Sequence, residues 1–493
     1  MNPDRSAAPR PHSCSLALFL AITLAVSLYR IGLVVHLHLD PYVDEAYYWG
    51  WAQALDWGYY SKPPMIAALI AASTTLFGDS LLALKAPSLL LYPATALVIR
   101  QLGCELFNAR VGFWSGLAFL TLPITSTLGL FASTDAPLLF CWALGMLLLW
   151  RALPAGRLSQ WIGIGVVCGL GLMSKYTMLA FIGSAFLILL ADPDGRRQLL
   201  RPGPWVGLLV AGAILAPNLW WNWQHDFPTI RHTAEITRVG VGARSVDVEE
   251  FGEFIGAQWL SFGPLLLPIL LWAMLRLRPT WTEPRFRFLL GFALPLLFIV
   301  GLQALTGRAN GNWSAPVFVA ASILSIAYLA RQAHWKLMTA AVTFNVSIGL
   351  AVYHWPDIAQ LTGTPLSART DPYKRARGWS ELSAAVRPYM LAHPQALLLG
   401  DDRELLAQLI YALRPPHHAR WQADPHVVDH YGLTAAFGPE SGDPVLFVST
   451  RREVDDVVSR FDDAERIATI DVAVHKDFHR KVSIWLLKGF KGY

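Results

Sequence analysis

The chain has 493 residues, 54% hydrophobic and 15% charged, with a formal charge of +5 and a mean hydropathy of +0.39. Soluble globular chains carry about 25% charged residues, so the composition argues against an ordinary cytosolic enzyme. Through Tyr353 only 40 of 353 residues are charged, whereas the last 140 hold 35, the density of a soluble domain. No basic face with interleaved aromatics appears, which disfavours nucleic-acid binding. The four cysteines, Cys14, Cys104, Cys141 and Cys168, all lie in or beside apolar segments, so disulfides do not stabilise the soluble part.

Arg5 and Arg10 precede an apolar run over about 14–35, too long for a signal-peptide core and without a small-x-small cleavage site. It reads as a retained first span. A bilayer core of about 30 Å takes about 20 helical residues. Further spans are predicted at roughly 81–100, 111–130, 136–150, 160–174, 176–191, 204–222, 254–275, 288–306, 313–330 and 337–354. The stretch 63–77 opens on Pro63-Pro64 and reads as a re-entrant or interfacial helix. With the N-terminus cytoplasmic, the inner loops hold 15 Lys and Arg and the outer loops 8, the expected positive-inside bias.

The expected fold is therefore a polytopic α-helical membrane protein of about 11–13 transmembrane helices over residues 1–355, with long non-cytoplasmic loops at 36–80 and 223–253. A soluble extracytoplasmic α/β domain follows at 356–493. Within it, 396–400, 445–450, 467–474 and 481–487 read as strands, and 404–413 and 452–461 as helices.

The first outer loop is the most unusual segment. It runs Asp40-Pro-Tyr-Val-Asp44-Glu45-Ala-Tyr47-Tyr48-Trp49 and on to Tyr59-Tyr60-Ser61-Lys62-Pro63-Pro64. An interfacial aromatic belt would account for its rings. It also gathers a candidate base, a cation able to meet phosphate, and rings on which a sugar can stack. Three more ionisable groups sit at outer turns: Asp135, which could equally cap a helix; Lys175, in an otherwise apolar region; and His225, beside Asp226. Lys175 could also simply snorkel to the interface.

Sharper motifs are missing or weak. There is no Walker A, His-Glu-x-x-His or Gly-x-Ser-x-Gly. Asp192-Pro-Asp194 has the Asp-x-Asp form used to hold metal diphosphates but reads as an ordinary turn. His36-x-His38-x-Asp40 could bind a metal if extended, and His475 and His479 have helical spacing in surroundings that look like a turn. No residue set is assigned to a metal.

With Asp44-Glu45 and Lys62-Pro63-Pro64 the chain resembles the lipid-carrier-dependent GT-C glycosyltransferases. Within them it is similar to the bacterial protein O-mannosyltransferase-like group that includes the lipid A aminoarabinose transferases. The likeness continues through Ser133-Thr-Asp135-Ala-Pro137, Ser174-Lys175, Trp221-Asn222-x-x-His225-Asp226 and Asn312-Trp313. It implies an inverting transfer from a polyprenyl-phosphate sugar to an acceptor hydroxyl on the periplasmic face of the bacterial inner membrane. The acceptor would be lipid A or lipopolysaccharide, another envelope glycan, or protein. By position, Asp44 matches the loop carboxylate taken as general base, with Glu45 beside it. Lys62 and Lys175 match lysines facing the donor phosphate, Tyr59 a tyrosine near the donor, and Asp135 the acid of the second outer loop. Two departures stand out: Tyr47 replaces an arginine of the aminoarabinose type, and Ser61 replaces a glutamate before Lys-Pro-Pro. The second weakens the case for a bound metal and for that sugar.

The residue types suit this chemistry. An acceptor hydroxyl needs a carboxylate to take its proton. The departing lipid monophosphate is already a good leaving group that lysines can stabilise, so no cofactor is required and a divalent metal is left open. A transporter or flippase of lipid-linked glycans is the competing reading, but such proteins more often show pseudo-symmetric, Gly/Pro-broken halves. A third reading, an envelope scaffold without chemistry, requires Asp44 to be dispensable.

Overall fold

The computed structural model describes residues 13–154, 156–237, 246–276 and 283–493. Arg5, Arg10, the middle of the 223–253 loop with Arg238 and Arg244, and the turn holding Arg278 lie outside the described residues.

Helices dominate the chain as far as residue 361. In order they are α1 (Ser13–His36), α2 (Val43–Gln53), α3 (Met65–Phe77), α4 (Leu81–Leu106), α5 (Ala109–Leu120), α6 (Pro123–Leu128), α7 (Asp135–Ala152) and α8 (Leu158–Ser174). Next come α9 (Met178–Ala191), α10 (Pro193–Leu199), α11 (Pro202–Gln224), α12 (Pro228–Ile236), α13 (Val248–Phe262) and α14 (Leu266–Arg276). The run closes with α15 (Pro284–Thr306), α16 (Val317–Arg331), α17 (Trp335–Tyr353) and α18 (Trp355–Leu361). Among the described residues six of these, α1, α4, α7, α11, α15 and α17, are long and apolar enough to cross a bilayer. The pairs α9–α10 and α13–α14 qualify only as bent spans, turning by 113° and 104°, and α3, α8 and α16 are shorter apolar helices.

The breaks have local causes. The span expected over 254–275 turns at Gly263-Pro264, where Gly263 takes φ +101° and an added Cβ would strike the Asn345 side chain. The span expected over 111–130 is divided at Thr121-Leu122, because Pro123 starts a new helix. Asp192 ends α9 and caps α10, its Oδ1 accepting from the backbone N–H of Asp194 and Gly195. Asp192-Pro-Asp194 is thus a helix cap. α8 and α11 meet through Gly165, Gly169, Gly203 and Gly207, and a Cβ on Gly165 would lie 2.3 Å from the Gly207 carbonyl oxygen. Such small-residue ridges let membrane helices approach closely. Leu18, Leu24 and Leu28 of α1 stay exposed, as lipid-facing side chains should.

Two compact units result. The first comprises the described residues of Met1–Leu33 with Lys62–Leu69 and Lys85–Val352, and the second Val34–Ser61, Ile70–Leu84 and Tyr353–Tyr493. Most of the first outer loop thus packs with the C-terminal residues. There α19 (Trp379–Ala392), β1 (Leu397–Gly400), α20 (Arg403–Leu413), β2 (His418–Arg420), α21 (His430–Thr434), β3 (Val445–Ser449), α22 (Asp455–Val458), β4 (Phe461–His475) and β5 (Phe478–Phe490) follow one another. The sheet order is β2-β1-β3-β5-β4, with β1 parallel to both neighbours and β5 antiparallel to β3 and β4. β1 is apolar throughout, β3 is apolar as far as its last residue Ser449, and both are wholly buried, as strands covered on both faces must be. The helix expected over 452–461 shrinks to α22, and the strand expected from 467 begins at Phe461, because the polar run Asp462–Arg466 pairs with β5. His475 and His479 do not act together: the first meets Asp371 and the second Asp471.

Candidate active site

In the second unit the start of α2 is held from both sides. Asp40 accepts from the backbone N–H of Trp379 at 2.8 Å and from the Ser380 hydroxyl. Gln408 of α20 donates to the Pro41 carbonyl at 2.8 Å, and Arg375 donates to the Tyr42 hydroxyl at 2.7 Å. These contacts fix where the helix begins, and so where the two adjacent acids point.

Those acids are then used differently. Glu45 is fully buried, and its Oε2 accepts from the backbone N–H of Tyr42 at 2.8 Å, satisfying one of the donors a helix start leaves open. Asp44, one residue earlier, keeps 43% of its side chain exposed and accepts from Arg403 Nη1 at 3.1 Å. Arg403 is the first residue of α20, just past the carboxyl end of β1, where open α/β sheets commonly present ligand-binding groups. Burial works against its charge, but Asp44 and Tyr47 outweigh it and raise its pKa.

Tyr47 lies beneath the guanidinium, its ring centroid 5.1 Å away. Its hydroxyl accepts from the backbone N–H of His430 at 2.5 Å, and burial pushes its pKa well up, so it stays neutral. Residue 47, where the resemblance implies an arginine in the aminoarabinose type, is a buried ring here, and a cation reaches Asp44 from residue 403. Tyr59 stacks on Trp51 with centroids 4.4 Å apart. Its hydroxyl donates to the Trp51 and Ala54 carbonyls, and burial pushes its pKa up to about 12. Beside this aromatic group, Trp49, Trp51, Arg414, His417, His418 and His430 line a cavity of about 670 Å³.

The first unit holds the other candidates. Lys62 is half-buried, immediately before Pro63-Pro64 and α3. Asp135 is the first residue of α7 and is buried; its Oδ1 accepts from Lys175 Nζ at 2.8 Å and its Oδ2 from Asn312 Nδ2 at 2.7 Å. The carboxylate binds these two side chains rather than capping its helix. Burying an ion pair costs desolvation, which is recovered only when the remaining lone pairs are also satisfied; Asn312 does that here. His225 ends α11, with Nδ1 on the Trp221 carbonyl oxygen and its ring stacked on Trp221 at 4.2 Å. On the same helix, Asn218 Oδ1 accepts from the Tyr176 hydroxyl at 2.5 Å, and Asn222 donates to that hydroxyl.

Sequence reasoning missed Arg403 as a site residue, since no local pattern links it to Asp44. It also passed over Lys85, a buried lysine 4.6 Å from the Phe131 ring centroid, and Arg30, which donates to the Leu120 carbonyl. Both sit in apolar helices, where an ionisable residue is itself the signal.

Comparison with known proteins follows the same lines. Residues 61–221 match the dolichyl-phosphate-mannose-protein mannosyltransferase family. Over 401 residues the chain is 30% identical to the lipid A galacturonosyltransferase RgtD of Rhizobium johnstonii, covering 80% of this chain and 82% of that one. The chain belongs to the GT-C superfamily of glycosyltransferases, as a multi-span membrane enzyme. A shorter likeness, 27% identity over 169 residues, links it to an undecaprenyl phosphate-α-4-amino-4-deoxy-L-arabinose arabinosyl transferase of Pseudomonas fluorescens, covering 32% of this chain and 30% of that one. The crystal structure of ArnT from Cupriavidus metallidurans bound to undecaprenyl phosphate shares the fold, with a TM-score of 0.64 at 17% identity, covering 96% of this chain and 98% of that one.

Proposed function

We propose that the protein transfers a uronic acid, with inversion, from a polyprenyl-phosphate donor to a hydroxyl of lipid A on the periplasmic face. The observation that carries the chemistry is the division of labour between the two acids. Asp44 is accessible and Glu45 is consumed by its own helix start. Asp44 takes the proton of the acceptor hydroxyl as that oxygen attacks the anomeric carbon and the lipid phosphate leaves. Lys62 stabilises the charge that develops on the phosphate. Lys175 is already neutralised by Asp135, so the pair with Asn312 serves as a buried scaffold.

Two features support a uronate. The relative matched over most of both chains is a galacturonosyltransferase. In addition, Arg403 has five N–H donors and commits Nη1 to Asp44, which leaves others for a sugar carboxylate, while Ser61 stands where the aminoarabinose type has a negative charge. The test offers purified enzyme and lipid A with polyprenyl-phosphate galacturonate or aminoarabinose, read by mass spectrometry. A hexuronate mass gain on lipid A with the first donor alone is expected. Transfer of aminoarabinose alone would overturn the sugar, and modification of a protein in place of lipid A would overturn the acceptor.

A further inference from the structure

The alternating His36, His38 and Asp40 offer three metal ligands only if the chain stays extended. In the structure that set is taken apart. α1 continues through His36, His38 turns its Nδ1 onto the His36 carbonyl oxygen at 2.7 Å, and Asp40 serves Trp379 and Ser380. His36 meets two side chains from far along the sequence instead. His354 precedes α18 and Asp357 lies in its first turn, three residues on, which puts both on one side of the helix. Asp357 Oδ2 is 2.7 Å from His354 Nδ1 and 3.2 Å from His36 Nε2.

One ligand atom from each residue lies within 4.8 Å of the other two, and among the described residues no other group of three His, Cys, Asp or Glu side chains converges in this way. We propose that His36, His354 and Asp357 form a binding site for one divalent transition metal, zinc by ligand chemistry, which fastens the last turn of α1 to the first turn of α18. Two imidazole nitrogens and one carboxylate oxygen are ordinary zinc ligands. Bonds of about 2.0–2.1 Å in a tetrahedron separate ligand atoms by a little over about 3 Å. The groups therefore need shifts of only about 1 Å, and a fourth position stays open to water. All three side chains are between 37% and 54% exposed, so an ion can reach them. The negative end of the α1 dipole at His36 favours a cation.

The full chain, purified in detergent and stripped with chelator, is titrated with Zn²⁺ and with Co²⁺. One equivalent of zinc should bind, displacing cobalt and its visible absorption. The double variant His36→Gln/His354→Gln should lose that equivalent, and Asp357→Asn should weaken it, while His38→Gln should keep it. X-ray absorption of the zinc-loaded wild-type protein should show two imidazoles with oxygen ligands. Absence of stoichiometric zinc in the wild type, its retention in the double variant, or sulfur or all-oxygen ligation would overturn the site. Variants that alter only the pH dependence of melting, with no bound metal in the wild type, would make the cluster a proton-linked clasp and equally end the proposal.

Discussion

Asp135 in the first unit and Asp44 in the second carry their charge in opposite settings. In the first unit Asp135 and Arg30 are enclosed: Asp135 is shared between Lys175 and Asn312, and Arg30 donates to a backbone carbonyl. In the second unit the pairs Asp44–Arg403 and Arg414–Asp79 are partly open to water, whereas Arg420–Asp429 is enclosed. The difference separates, under the function proposed above, a pair suited to scaffolding from one suited to chemistry. An enclosed pair whose two carboxylate oxygens each accept a hydrogen bond resists change, whereas a half-exposed pair can exchange its partner for a substrate.

That contrast can be broken first at Asp135. Removing one member of a buried, bonded pair leaves the other charge stranded, at a cost of about 3–5 kcal/mol. Asp135→Ala should thus melt far below wild type in detergent, and Asp135→Leu/Lys175→Met should recover much of the loss. A wild-type melting curve for Asp135→Ala would remove the scaffold role.

Lys62 comes next, because the role proposed for it is charge rather than support. Lys62→Ala should lower turnover by about 10²–10³-fold, the usual result of losing one donor to a developing charge, and Lys62→Arg should restore most of it. Equal activity in both variants would take Lys62 out of the site.

Arg403 should matter less. Hydrogen bonds to charged groups contribute about 1.5–3 kcal/mol, so Arg403→Gln should slow transfer by about 10- to 100-fold with little change in melting. The loss should be larger for a uronate donor than for a neutral sugar. An equal loss with both would confine Arg403 to orienting Asp44.

The smallest effect concerns His418 in the cavity wall. Burial first, then the neighbouring His417, depress its pKa below the ordinary 6.5. Its share of stability is present above the unfolded value and lost as pH falls through the folded one. Melting temperature should therefore decline slightly below about pH 6.5, and His418→Gln should flatten that decline. A slope unchanged by the substitution would place the titration elsewhere.

Much of this was legible in the sequence. Hydropathy located the six long apolar helices because a bilayer sets both their length and their polarity; the expected spans at 160–174 and 313–330 are shorter apolar helices. It did not locate the bends at Gly263-Pro264 or Leu122-Pro123, since glycine and proline are tolerated within some membrane helices and break others according to their packing. β1 and β3 were legible as continuous apolar runs; the start of β4 was not, because Asp462–Arg466 is polar and takes its structure from pairing with β5. The acidic loop stood out by composition, yet Asp44 and Glu45 were equivalent on paper. What separates them is Tyr42 on one side and Arg403 on the other, and the second lies 359 residues away.

The most direct test is single-turnover transfer by Asp44→Asn and Glu45→Gln at matched amounts of folded enzyme. The amide keeps size and hydrogen bonding at residue 44 but removes basicity, so transfer should fall by about 10²–10⁴-fold with melting unchanged. Glu45→Gln should retain more activity and lose stability instead, through its weakened bond to Tyr42. Near-normal transfer by Asp44→Asn together with its loss in Glu45→Gln would contradict the assignment of Asp44 as the base.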